Sequence, residues 1–292
     1  MKRSILALVG VCAVAFPIYS LGLLAKDGAL DNGGTFSPDG KALLFHSFRE
    51  GKGEIWEMDL TTLAQKKITA GDNNDRWPDV SPDGQKVSFI STRDANWEVY
   101  IIGRDGTGLK RLTDNYVLNL GATWGPDNVS LAYAEHRDGE GVSDIFITNI
   151  DNGKRTRIAE NGLWPDWSPD GRSIIFIRPE SDETINVIRY DVKEGTEQQI
   201  TQGLGMVTSP RWAADSQHIY FVAPNRAGSQ TIHRMAADGT GVTDIGAAAK
   251  MDSMPTESPD GATFVYGWNK EGNDDLYLRN LKTGDTENLT GQ

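Results

Sequence analysis

One four-residue phrase, Ser-Pro-Asp-Gly, returns through this chain at an almost fixed interval, and the interval limits what the chain can fold into. It stands at Ser37-Pro38-Asp39-Gly40, Ser81-Pro82-Asp83-Gly84, Ser168-Pro169-Asp170-Gly171 and Ser258-Pro259-Asp260-Gly261. Degenerate copies are Gly125-Pro126-Asp127-Asn128 and Ala213-Ala214-Asp215-Ser216. The six aspartates are spaced 44, 44, 43, 45 and 45 residues apart. Six residues after each comes an aromatic: Phe45, Phe89, Tyr133, Phe176, Phe221 and Tyr266. Aromatics make up 9% of the chain, so six matches in six are not chance. A period of this length marks a repeat architecture, in which one supersecondary unit recurs and buries its apolar face against its neighbours.

Each repeat reads as four short strands. The first ends in a large residue before the turn: Phe36, Val80, Trp124, Trp167 and Trp212. The second is an apolar run carrying the aromatic, such as Ser173-Ile174-Ile175-Phe176. The third joins an acid, an aliphatic and an aromatic, as in Glu54-Ile55-Trp56, Glu98-Val99-Tyr100 and Asp144-Ile145-Phe146. The fourth closes on an aliphatic and Thr: Ile68-Thr69, Leu112-Thr113, Ile200-Thr201 and Leu289-Thr290. No sustained 3.6-residue period interrupts this pattern. Four strands per 40–45 residues is the signature of a propeller blade. The expected fold is therefore all-β, a six-bladed propeller with four antiparallel strands per blade, forming one domain over residues 26–292. The many turns account for 32 glycines in 292 residues, above the usual ~7%.

The recurrent Asp invites a catalytic reading, but turn chemistry explains it better. Ser at the first position, Pro at the second and Gly at the fourth suit a type I turn. Every hairpin needs such a turn, whereas an active site needs its acid once. The following aromatics read as core.

Net charge is −12, from 29 basic and 41 acidic residues, which argues against nucleic-acid binding. Residues 1–25 read as a signal peptide. Lys2 and Arg3 precede an apolar run over residues 5–24, the layout of a secretory signal. Cleavage can follow Ala15 or Ala25. The alternative is an uncleaved anchor, since 20 residues just span a bilayer; Pro17, Tyr19 and Ser20 weaken it. Removal would take away Cys12, the only cysteine, and leave a thiol-free chain suited to an oxidising compartment. The expected location is periplasmic or secreted, and the expected state a monomer that does not cross the membrane once the signal is cleaved.

The run Trp164-Pro165-Asp166-Trp167-Ser168-Pro169-Asp170-Gly171, with the acid-aliphatic-aromatic strand and the closing Leu/Ile-Thr, resembles the repeats of TolB-like propellers. The resemblance covers residues 31–290. It implies an exported propeller that binds protein partners at one mouth of its channel, a peptidoglycan-associated lipoprotein among them in TolB, and related propellers hold a metal ion in the channel. The sequence departs from that pattern in showing no α/β domain before the propeller, so the resemblance does not by itself carry over a role in the Tol–Pal envelope system.

Topology suggests where a partner would bind. Six residues before each turn Ser or its equivalent stand Asp31, Asp75, Asn119, Gly162, Val207 and Asp252. With blade six beside blade one, Asp252, Asp31, Asp75 and Asn119 would form an acidic arc over half of one rim, steering a basic protein or peptide. Ordinary loop usage of Asp and Asn is the competing account. Two positions before the turn, Asp79, Asp166 and Arg211 replace the Thr of other blades; the acids would ligate Ca²⁺ through oxygens or pair with Arg211. No cofactor is required. Trp77 and Trp164 are either platforms for a sugar or peptide or inter-blade packing. Glu257 occupies a slot that other blades fill with Phe, Val or Trp, so it must be paired or the seam must be wet. Because the chain starts with an innermost strand and ends with an outermost one, closure by blade packing alone is expected, aided by residues 26–31.

No G-x-S-x-G elbow or H-E-x-x-H motif occurs. Of four histidines, His46, His218 and His233 fall on packed or opposite positions, and His136 alone looks free in a loop. A non-enzymatic protein- or peptide-binding scaffold is expected. The alternative is a glycan-binding or metal-dependent uronate lyase-type propeller.

Overall fold

In a computed structural model, which describes residues 31–115, 117–137, 142–249, 253–270 and 274–291, the chain forms six four-stranded antiparallel sheets. Each is built from consecutive strands in sequence order. Blade one comprises Asp31–Phe36, Ala42–Ser47, Glu54–Asp59 and Gln65–Lys67. Blade six comprises Thr256–Glu257, Thr263–Trp268, Asp275–Asn280 and Thr286–Asn288. The described residues contain no helix. The described part of the signal-peptide region is nil, since residues 1–30 lie outside the described residues.

The recurrent aromatics are core in every blade: none of the six is more than 2% exposed. Each buries enough apolar surface to contribute on the order of 1.5–3 kcal/mol before entropic costs. The Ser-Pro-Asp-Gly turns form as expected. The Ser37 hydroxyl donates to Asp39 at 2.6 Å, and Gly40 N–H donates to the Ser37 carbonyl at 2.8 Å. Both groups the turn would strand are thereby satisfied within it.

The turns also fasten blade to blade. A Cβ on Gly171 would stand 2.7 Å from Pro126 Cγ, and those on Gly84 and Gly40 would touch Pro38 and Pro259. The Pro of one turn thus packs on the Gly of the next, across the seam between blades six and one as well. Where Asn128 and Ser216 replace that Gly, their side chains instead accept the N–H of Asp83 and Asp170 in the preceding blade's turn. The closing Thr has a function of its own. The hydroxyls of Thr69, Thr113, Thr201 and Thr290 accept the N–H of Ile55, Val99, Val187 and Leu276 at 2.8–3.0 Å, capping donors at the start of the third strand.

No strand passes between the first and last blades among the described residues. The ring closes on a repeated backbone bond. Asp75, Asn119, Gly162 and Val207 each donate their N–H to the residue before the previous blade's third-strand acid or its equivalent: Gly53, Trp97, Ser143 and Ile185. Asp31 N–H makes the same bond to Asp274 at 2.8 Å, so blade one treats blade six as any blade treats its predecessor.

Candidate functional site

The innermost strands line the channel, and those of blades one to five break their pairing at one place. Register shifts mark the bulge in blades one to five. Four residues before the turn stand Gly33, Trp77, Gly121, Trp164, Ser209 and Met254, each with φ between 44° and 65°. This left-handed conformation suits glycine; an L-residue there costs roughly 1–2 kcal/mol. Two blades use glycine and two use tryptophan. A Cβ on Gly121 would stand 2.8 Å from Trp164 Cε3, and one on Gly33 would stand 3.1 Å from Trp77 Cδ1. Each indole therefore rests over the glycine of the preceding blade.

Trp77 and Trp164 come from blades two and four, which are not neighbours. Their rings meet edge to face with centroids 4.5 Å apart, a favoured aromatic geometry. They are 7% and 6% exposed. With Met254, Ser209 and Pro210 they leave a void of about 10 Å³, at the lower limit for one water. Of the two accounts expected for these tryptophans, packing is the arrangement found, both on the glycine of the adjacent blade and across the channel.

One step nearer the turns lies a polar layer. Arg211 donates to Asp166 Oδ1 at 2.8 Å, and Trp212 N–H donates to Asp166 Oδ2 at 2.7 Å. Asp79 Oδ2 accepts Trp124 N–H at 2.9 Å and Oδ1 accepts the Thr35 hydroxyl at 3.4 Å, with Thr123 also hydrogen-bonded to the carboxylate. Each carboxylate thus staples its blade to the next. Asp79 is half-buried. Burial, opposed by Arg211 and Trp124 N–H and reinforced by Asp166, pushes its carboxyl above the usual range. Two acids share one guanidinium here. Ca²⁺ would want six to eight oxygens; both carboxylates already accept hydrogen bonds at each oxygen, so this layer fits the ion poorly. Glu257 is paired. It accepts Ala214 N–H at 2.7 Å and the Tyr220 hydroxyl at 2.8 Å, and it turns toward blade five, not toward the seam with blade one.

The expected acidic arc is not an open one. Asp31, Asp75 and Asn119 are buried, at 0%, 2% and 0% exposure. Arg49 pairs with Asp31 at 3.0 Å, and Arg93 reaches both oxygens of Asp75 at 2.9 and 3.0 Å. Burial outweighs Ser47 and Arg49 at Asp31 and raises its carboxyl. Asn119 donates to Glu98 at 3.0 Å. The fourth member, Asp252, lies outside the described residues. The physical reason is that the connection between the second and third strands of blades one and two brings an arginine onto each blade's acid. The signal was present in the sequence, since Arg49 and Arg93 each follow their Asp by 18 residues. The turn end carries its own ring of exposed carboxylates. Asp39, Asp83, Asp127, Asp170, Asp215 and Asp260 are all exposed. Asp39 and Asp260 are held below the usual range, chiefly by the hydroxyls of Ser37 and Ser258.

The histidines are dispersed. His46 is buried against Trp77, whose N–H it accepts at 3.4 Å; burial and nearby Arg76 hold it well below the usual imidazole value. His233 is buried and stacks on Phe221. His218 pairs with Asp215 on a turn at 2.7 Å, and His136 is half-buried at the loop end. Among the described residues no three His, Cys, Asp or Glu gather as a metal site.

A family model described as TolB beta propeller domain matches residues 33–199 and 164–292. The Tol-Pal system protein TolB of Francisella tularensis is 21% identical over 215 residues, covering 70% of this chain and 48% of that protein. The crystal structure of TolB from Acinetobacter baumannii superposes with a TM-score of 0.73 at 17% identity, over 89% of this chain and 63% of that one. An oligogalacturonate lyase in complex with manganese gives 0.64 at 16% identity, over 89% and 77%. At these identities the structural likeness shows the fold alone. The chain spans about half or less of the length of the curated relatives it matches.

Proposed function

The chain belongs to the TolB β-propeller family, and from that premise we propose that it is an exported, non-enzymatic scaffold that binds a protein segment at a mouth of its channel. The observation that carries this reading is the layer of Asp79, Asp166 and Arg211, where two carboxylates face one guanidinium. A cationic side chain of a partner would supply the missing counter-charge in a half-buried site, where such pairing is stronger than in bulk water. Export to the periplasm or medium is supported by Lys2, Arg3 and the apolar run that follows. A uronate-processing role would need imidazoles gathered over the channel, and the four histidines stand apart.

The test is affinity capture from the native envelope fraction with wild type and Asp79→Asn, both checked for equal melting temperature. Loss of the captured partner by about tenfold, the scale of one charge-assisted pair, is expected of the variant. Equal capture by both would overturn the role of this layer.

A further inference from the structure

We propose that Trp77 and Trp164 form a partition that makes the channel a blind funnel, so that Asp79, Asp166 and Arg211 are reached from the turn-side mouth alone. The backbone is the first argument. Gly33 and Gly121 show what the bulge needs, yet blades two and four hold tryptophan in the same left-handed conformation, with φ of 50° and 53°. Strain kept where glycine would relieve it points to work done by the side chain. That side chain crosses the channel: the indoles meet at 4.5 Å from non-adjacent blades and, with Met254 from blade six, close its section.

Exposure on the two sides of the pair is the second argument. On the loop side, five of the six residues just before the bulge are buried, Asn32 9%, Arg76 5%, Leu120 3%, Thr208 0% and Ser253 0%, and Leu163 is half-buried. On the turn side, three of the six equivalent residues, Asp79, Arg211 and Thr256, keep accessible surface, while Thr35, Thr123 and Asp166 are buried. Arg76 stacks over Phe48 at 4.6 Å and Trp97 at 5.3 Å, adding an aromatic roof above the partition. The open end is thus the end ringed by the exposed turn aspartates, which attracts cations. For its occupant, a lysine or arginine side chain of a partner segment, the inference rests on the reading above; the funnel itself does not.

Access can be timed with a thiol reporter that needs no partner. Thr256→Cys, in full-length chain carrying Cys12→Ser, places a thiol in the turn-side half. The probe is the cationic reagent 2-(trimethylammonium)ethyl methanethiosulfonate. Replacing the turn-side Asp39, Asp83 and Asp260 by Lys is expected to slow modification about tenfold through lost steering. Replacing the exposed loop-side Asp72, Asp114 and Asp182 by Lys should leave the rate within about twofold. Adding Trp77→Gly and Trp164→Gly should make the rate respond to the loop-side set as well. Equal response to both sets in the tryptophan-bearing protein overturns the proposal, as does a thiol that never reacts. An unchanged pattern in a folded double-glycine variant overturns it too. If that variant does not fold, the two charge sets still decide the matter. A reporter that behaves as expected while Asp79→Asn captures its partner normally would sink the function proposed for the layer and leave the funnel standing.

Discussion

The two ends of the channel carry the same residue type with opposite consequences. At the loop end, Asp31 and Asp75 are buried and each is held by an arginine. At the turn end, Asp39 and its five counterparts are exposed, and in the four full copies of the motif a serine hydroxyl orients the carboxylate. A run of acids in sequence therefore says little about surface charge until the partners and packing are known. Desolvation raises Asp31, whereas hydrogen bonds in water's presence lower Asp39. Acids at the loop end contribute to cohesion of the ring, and acids at the turn end contribute to its field.

The contrast is most severely tested by removing an arginine. Arg93→Ala leaves Asp75 buried without its counter-charge, and urea melts should show a loss of about 3–5 kcal/mol. A loss below 1 kcal/mol would mean that the loop end is wetter than described. Asp166→Ala should cost about 2–3 kcal/mol, since it removes the bond to Arg211 and the staple to Trp212 N–H. Gly171→Ala drives a Cβ to 2.7 Å from Pro126 at a φ of 74°. It should cost about 1–2 kcal/mol, and Gly261→Ala, with open space around it, should cost less. Equal costs would show that the turn-to-turn packing adds nothing to the seam.

The smallest effects are those of pH, and they differ in sign. Asp31 and Asp79 have raised folded values, so their contribution is full below the unfolded value of about 3.9 and is lost as pH rises through the folded value. Asp39 has a lowered value, so its contribution is present above about 3.9 and is lost as pH falls through the folded value. Asp79→Asn should therefore compare better with wild type at pH 7 than at pH 4. Asp39→Asn should be at its most harmful at pH 7 and harmless near pH 2. Parallel pH profiles for the two variants would erase the distinction between burial and hydrogen bonding.

Much of the architecture was legible because a repeat averages out local ambiguity. Phe45 alone says little, but six aromatics in phase with six turns define six hairpins, and their burial follows from the two-residue alternation of strands. Closure without strand exchange among the described residues was legible too, since it follows from each repeat supplying its four strands in sequence order. The site was less so. Trp77 and Trp164 share a repeat position with Gly33 and Gly121, but nothing in their spacing shows that an indole from blade two meets one from blade four. Glu257 was legible as an anomaly; that it would turn back to Ala214 and Tyr220 was not.

The sequence by itself determined the blade count, the strand order within each blade and the chemistry of the turns, because those depend on contacts between residues fewer than 45 positions apart that recur. Tertiary structure alone decided which acids are neutralised and which end of the channel is open. Those outcomes arise where loops and side chains from different blades converge on one axis, and burial there, not residue type, sets whether a carboxylate is held as a partner or left as a charge.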